Sequence, residues 1–250
     1  MSGSPPVVWD HHDAVLFDLD GVLTPTARVH MRAWAEMFDE FLARYGATPA
    51  GASADTSPYS DADYFAHVDG KPRYDGVRDF LASRGIRLPE GHPHDPADAE
   101  TVCGLGNRKN SAFNAVLARD GVQPYPGSVR LLDQLRERGM PLAVVSSSAN
   151  APAVLEAAGL ADRFVTVVDG RVATRLGLAG KPAPDTFVHA AEECGATPAA
   201  AVVLEDAVSG VRAGAAGRFG LVIGVDRGAG PDVLTAAGAD LVVTDLGDLA

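Results

Sequence analysis

Ala14-Val15-Leu16-Phe17-Asp18-Leu19-Asp20-Gly21 is the stretch on which the fold turns. A short apolar run, followed at once by two carboxylates and a glycine, reads as a buried strand feeding a loop. Downstream the periodicity changes. Ala33, Trp34, Met37, Phe38, Phe41 and Leu42 recur at helical spacing between Arg28 and Tyr45, and Gly46 supplies a stop. Residues 46–60, rich in Ala, Gly, Ser and Pro, read as a loop. From Asp61 to Arg119 the pattern gives at least two more helical segments, separated by Gly and Pro clusters, and no good strand.

After Pro124 strands and helices alternate. Helices are expected over Ser128–Arg138, Asn150–Ala158, Pro184 to Gly195 and Ala207–Ala216. Strands are expected over Pro141–Val145, Phe164–Val168, Ala201–Leu204, Leu221–Ile223 and, more weakly, Leu241–Val243. Such alternation implies a parallel sheet with helices on both faces. The first strand belongs to that sheet, which makes residues 26–122 a helical insertion.

Composition narrows the function classes. The chain has 250 residues, 46% hydrophobic and 22% charged, which is enough for a sizeable core. A net charge of -12 argues against a nucleic-acid or anionic-membrane binder. It leaves a small phosphorylated substrate open, because a metal and a few local cations can dominate one cleft. Two cysteines, Cys103 and Cys194, form no framework of bridges and fit a reducing compartment. The opening Met-Ser-Gly-Ser-Pro-Pro lacks a basic region followed by a long apolar stretch, so no export signal is expected, and no apolar run approaches the roughly 18 residues that span a bilayer. A soluble, cytoplasmic protein is expected.

In an open α/β sheet, ligands bind beyond the carboxyl ends of the strands. The residues there are Asp18 and Asp20 after the first strand, Ser146 and Ser147 after the second, and Glu205 and Asp206 after a later one. Lys181 joins them from Gly180-Lys181-Pro182-Ala183-Pro184, which opens a helix. Hard carboxylate oxygens suit Mg²⁺, with Asp18 and Asp206 as candidate ligands, and the metal and Lys181 supply the positive charge that phosphate requires. Aspartate is a nucleophile toward phosphoryl groups, so Asp18 is the candidate nucleophile. Asp20 could protonate the leaving oxygen. Ser146, Ser147 and nearby backbone amides could hold the equatorial oxygens.

Phe17-Asp18-Leu19-Asp20-Gly21-Val22-Leu23-Thr24 resembles the first motif of the haloacid dehalogenase superfamily. The strand ending in Ser146, the Lys181-Pro182 segment, and Leu204-Glu205-Asp206 with Gly210 resemble its second, third and fourth motifs, in the right order. Phe17 to Trp34, with Thr26, His30, Arg32 and Trp34, is further similar to the β-phosphoglucomutases of that superfamily. So are Gly70-Lys71-Pro72-Arg73, Arg108-Lys109-Asn110 and Ser146-Ser147-Ser148-Ala149-Asn150. The resemblance implies a Rossmann-like core over 1–25 and 123–250, with an all-helical cap over 26–122 that closes during the reaction. It implies interconversion of β-glucose 1-phosphate and glucose 6-phosphate by a monomer, through a phospho-aspartate and a bisphosphate. By the same resemblance Asp18 is the nucleophile and Asp20 the acid/base. Asp18, the Asp20 carbonyl and Asp206 bind Mg²⁺, with Glu205 beside it. Ser146, Ser147 and Lys181 hold the transferring phosphate, and Arg73, Ser148 and Asn150 the distal one. His30 and Lys109 flank the sugar and Asp20, Asn110 adjoins them, and Thr26 sits at the hinge. Two departures stand out. Ala149 replaces a lysine that some of these mutases carry, and Asp169–Gly180 is longer than the usual connection.

Simpler readings exist for each part. An isolated Asp-x-Asp is usually a solvated turn, and Glu205-Asp206 could merely favour a helix dipole. Their common edge on one sheet favours chemistry. His11, His12, His92 and His94 read as solvated, the cysteines as small apolar fillers, and Trp34 as core. A phosphatase shares the first half-reaction with a mutase, and a non-catalytic phospho-ligand domain would lack the four motif residues, all of which are present.

Overall fold

The computed structural model describes residues 7–250; the opening segment, on which the expectation of no export signal rests, lies outside the described residues. The chain divides into two compact units, Met1–Thr26 with Val122–Ala250, and Ala27–Gly121.

The first unit is built on six parallel strands among the described residues: β1 (Ala14–Phe17), β2 (Leu142–Val145), β3 (Thr166–Val168), β4 (Ala201–Glu205), β5 (Leu221–Val225) and β6 (Leu241–Val243). Their order is β3-β2-β1-β4-β5-β6. The order reverses between β1 and β4, the place where open α/β sheets bind ligands. β1, β2 and β4 are buried along their whole length, as their unbroken apolar runs require when both sheet faces are covered. On one face Leu16, Ala143, Val145 and Val203 pack in a core with Phe187, Ala190 and Ala191 of α8 (Asp185–Glu193) and Val211 and Ala213 of α9 (Val208–Ala216). The alternate residues Val15, Phe17, Val144 and Leu204 are buried too, as are Leu131, Leu132 and Leu135 of α5 (Pro126–Glu137) and Val154 and Leu155 of α6 (Ala151–Ala157).

The second unit is helical among its described elements: α1 (Thr26–Gly46, whose first residue belongs to the other unit), the single turn α2 (Asp61–Asp63), α3 (Arg73–Ser83) and α4 (Val102–Asp120). It has its own core, with Trp34, Met37, Phe38, Phe41 and Leu42 of α1 against Val77, Phe80 and Leu81 of α3 and Leu105 of α4. Phe38 is its hub, with ring centroids 4.0 Å from Phe80, 5.1 Å from Tyr59 and 5.4 Å from Trp34. Arg84 is buried beside this core and ion-paired to Asp63 at 2.8 Å and Asp55 at 3.3 Å.

The differences from expectation are local. Residues 46–60 contain a 3₁₀ turn, Pro49–Ser53, capped by the Thr48 hydroxyl. Two short helices carry no apolar stripe to betray them: α7 (Gly170–Leu176), capped by the Asp169 carboxylate, and α10 (Pro231–Ala237). α7 occupies the lengthened connection before Lys181. His12 is half-buried rather than solvated, and burial lowers its pKa.

Because Phe38 touches rings on three sides, Phe38→Ala should destabilise the chain by about 3–5 kcal/mol. Urea unfolding followed by circular dichroism measures this; a loss below about 1 kcal/mol would mean that the second unit is held by something other than its aromatic core.

Candidate active site

Strand register decides which groups meet. Phe17 lies opposite Val144 on one side and Leu204 on the other. Asp18, one residue on, therefore comes level with Val145 and Glu205, and its amide donates to the Leu204 carbonyl at 2.9 Å. Lys181 enters this row. Its ammonium donates to Asp18 Oδ1 at 2.5 Å, Glu205 Oε1 at 2.6 Å and the Val145 carbonyl at 3.0 Å, three acceptors for three N–H groups. The Phe187 ring lies 5.0 Å from Nζ. Glu205 is wholly buried, and its second oxygen accepts from the Ala207 amide at 2.8 Å. Gly210 makes room for it, since a Cβ there would fall 1.7 Å from Glu205 Oε1.

The electrostatics follow from burial. Loss of water drives the pKa of Asp18 well above the usual carboxylate range, opposed by Lys181 and reinforced by Glu205 and Asp20. Burial works against the charge on Lys181, but Asp18 and Glu205 outweigh it and hold that pKa above the ordinary lysine value. Carboxylate oxygens of Asp18, Glu205 and Asp206 lie within 4.8 Å of one another. Three carboxylates against one ammonium leave a negative excess that a hard divalent cation fits, by charge and by donor type.

The loop after β1 is folded tightly on itself. Gly21 has φ +90°, and a Cβ on it would fall 1.8 Å from Asp206 Oδ2, so only glycine satisfies both the turn and the close approach. The Thr26 hydroxyl donates to Asp20 Oδ1, and Thr24 Oγ1 lies 2.7 Å from Thr26 Oγ1. In the loop after β2, Ser146 Oγ accepts from the Ser148 amide at 3.1 Å and Ser148 Oγ from the Asn150 amide at 3.2 Å. Ser147 is half-buried there; a Cβ on Gly170 would come 2.8 Å from its carbonyl.

The second unit brings together His30 and Lys109. Lys109 is buried, its ammonium lies 4.9 Å from the Trp34 ring centre and 5.3 Å from that of Phe113, and it bonds His30 Nδ1. His30 stacks on Phe113 at 4.0 Å. An ammonium has no lone pair, so Nδ1 accepts and a neutral His30 carries its proton on Nε2. Arg73 opens α3, its guanidinium 5.0 Å from the Tyr74 ring centre, with Nε buried and unpartnered among the described residues. A Cβ on Gly106 would fall 3.1 Å from Arg73 Cγ, and Gly106 and Lys109 share a face of α4 one turn apart. Asn110 is half-buried on the same helix.

Some participants had no signal in the sequence taken alone. The Val145 carbonyl and the face of Phe187 become neighbours of Lys181 only through register and packing. Thr24 stood inside the first motif without an assigned task.

An aspartate loop at the switch point of a parallel sheet, with a lysine bridging two carboxylates and a helical unit inserted after the first strand, defines a class of phosphoryl-transfer and related enzymes. The model of the haloacid dehalogenase-like hydrolase family matches residues 12–218, and the chain belongs to that family. A protein of Mycobacterium tuberculosis named beta-phosphoglucomutase is 52% identical over 94% of this chain and 90% of its own length. A beta-phosphoglucomutase of Bacillus subtilis is 32% identical over 94% and 91%. A hydrolase from Pseudomonas syringae shares the fold, with a TM-score of 0.76 at 22% identity over 95% of both chains. No helix among the described residues is long and apolar enough to cross a membrane.

In metal-free buffer at neutral pH, Lys181→Met should cost about 3–5 kcal/mol of stability, because two buried carboxylates lose their cation. The sign with pH is fixed. A carboxyl whose folded pKa lies above its unfolded value near 4 takes up a proton on folding, so its contribution is lost as pH rises through the folded pKa. The deficit against the parent should therefore shrink from pH 7 to pH 5 in urea unfolding; a deficit independent of pH would contradict the assignment.

Proposed function

We propose that this chain is a sugar-phosphate mutase that interconverts β-glucose 1-phosphate and glucose 6-phosphate. The observation that carries the reading is the pair of aspartates two residues apart with opposite surroundings. Asp18 is buried against Lys181, while Asp20 is bonded by Thr26. The 52% identity to a beta-phosphoglucomutase favours a mutase over a phosphatase.

In this reading Asp18 starts as the phospho-aspartate. The sugar 6-hydroxyl gives its proton to Asp20 and attacks phosphorus, and the bond from phosphorus to Asp18 breaks, leaving a glucose bisphosphate. After the intermediate turns round, Asp18 attacks the 1-phosphate and Asp20 returns its proton to the leaving O1. That step releases glucose 6-phosphate and restores the phospho-aspartate. Thr26 holds Oδ1 of Asp20 and so orients the carboxyl group that would carry the proton. Ser146, Ser147 and Lys181 hold the transferring group. Asp18, Glu205, Asp206 and the Asp20 carbonyl would hold Mg²⁺, which when bound offsets the charge of the carboxylates and phosphate.

The second unit serves as the cap over 26–122. His30, Lys109 and Asn110 face the sugar, and Arg73, with Ser148 and Asn150, grips the distal phosphate. The buried, unpartnered Nε of Arg73 supports this, as a planar guanidinium grips phosphate in more than one orientation.

Asp18→Asn should abolish turnover while the fold survives, and chelation should remove activity that added Mg²⁺ restores. Arg73→Ala should lower conversion of β-glucose 1-phosphate about ten- to a hundredfold, the effect of losing one charge-assisted contact of roughly 1.5–3 kcal/mol. Hydrolysis of acetyl phosphate, which needs no distal grip, should be spared. If the parent protein releases phosphate from sugar phosphates without isomerising them, the phosphatase reading replaces this one.

A further inference from the structure

The loop that carries Asp20 has its carbonyls tied down in turn. Leu19 O accepts from the amides of Leu23 and Thr24, each at 3.0 Å, and Thr24 O accepts from Gly21 N at 2.7 Å. Val22 O accepts from the Ser128 hydroxyl at 2.7 Å, and Leu23 O from Tyr125 N at 2.9 Å. The carbonyl of Gly21 is held differently, by a cation from the far end of the chain: Arg227 Nε donates to it at 2.7 Å.

Arg227 lies two residues beyond β5, after Asp226. Its Nη1 donates to the Thr244 carbonyl, beyond β6, at 2.8 Å, and its Cζ sits 4.0 Å from the centre of the Tyr125 ring. The guanidinium is thus fixed by stacking on one side and by the edge of the sheet on another, and presents Nε to the Gly21 peptide. Nη2 is buried without a partner among the described residues. An unpaired buried donor costs stability, so this group is a poor choice for stability alone.

Gly21 is where a small displacement matters. Its Cα packs against the Asp206 carboxylate with no space for a methyl group. Its amide, bonded to Thr24 O, sets the plane of the Asp20–Gly21 peptide, and a trans planar peptide then aims the Asp20 carbonyl the opposite way. We propose that Arg227 is a positioning residue for phosphoryl transfer. By holding the Gly21 carbonyl it sets the distance between the Asp18–Asp20 loop and Asp206, and so the shape of the carboxylate cluster. The inference rests on the proposed function only in taking that cluster as the reacting site.

The test compares the full-length parent with Arg227→Met, which keeps the stem on Tyr125 but removes every donor, and Arg227→Lys, which can reach Gly21 O but not both carbonyls. Hydrogen exchange of metal-free protein is read first. Peptides spanning residues 18–24 should exchange about tenfold faster in the Met variant, while peptides of β4 stay unchanged. The Lys variant should recover most of the protection. Acetyl phosphate turnover in Mg²⁺ should fall about tenfold or more in kcat with little change in KM, and Mg²⁺ binding measured by calorimetry should weaken in the same order of variants. Exchange equal to the parent's, or raised uniformly across the sheet, would overturn the proposal. A parent that neither binds Mg²⁺ nor hydrolyses acetyl phosphate would sink the functional reading instead, and the exchange comparison would still decide whether Arg227 holds the loop.

Discussion

The ammonium of Lys181 stands against the carboxylates of Asp18 and Glu205, with a backbone carbonyl as its third acceptor. Everything at this end of the sheet is arranged around that one charge. A buried carboxylate without a cation is costly, and two of them side by side are more so. Lys181 offsets this enough for the sheet to close, but not enough to hold Asp18 at the usual acidity of an aspartate. The remaining excess is useful in a phosphoryl-transfer site. In the proposed reaction it would leave the cluster short of positive charge until cation and phosphate arrive, and Asp18, proposed as the nucleophile, would ionise more readily in their company.

The backbone around the cluster is specified by what it must leave out. Gly21 and Gly210 each lie where a methyl group would collide with a carboxylate, of Asp206 and Glu205 respectively. Glu205 ends β4 and Asp206 follows it; Asp206 lies against Gly21 of the loop after β1, and Glu205 against Gly210 in the first turn of α9. Missing side chains thus set the packing of these two acids as firmly as hydrogen bonds do. In the second unit aromatic faces lie beside a buried cation. Lys109 lies by the faces of Trp34 and Phe113 and is bonded to a histidine, so ring electrons and a lone pair share in holding its charge.

How much of this could be read from the sequence depended on how local each signal was. The strand before Asp18, the helix from Thr26 and the alternation after Pro124 carry their periodicity within a few residues, and their positions agree with the structure to within a residue or two. Asp18 and Glu205 were recognisable by position after strands, and Lys181 by the Gly-Lys-Pro-Ala-Pro segment that opens a helix. That Lys181 bridges the other two was not, because it depends on the register of β1 with β4. α7 and α10 escaped for another reason: each is a short helix with little or nothing buried, so no stripe marks it. Arg227 had no local mark at all, since its partner lies at the other end of the chain and is a carbonyl, which every residue owns.

The central place of β1 has a consequence for how the chain is made. Ala14 to Phe17 are the first apolar residues of the sheet to leave the ribosome, and their neighbours on both sides, in β2 and β4, are synthesised only after the whole second unit. Until then a wholly buried strand of the protein is an unpaired, sticky segment. The second unit, with its own core and contacts local in sequence, can form in the meantime. It then acts as a folded spacer that shortens the loop the late strands must close to reach β1. An insertion placed between a central strand and its partners is therefore tolerable to the nascent chain only if it folds early and by itself, and a destabilised second unit should show its harm first as aggregation during synthesis.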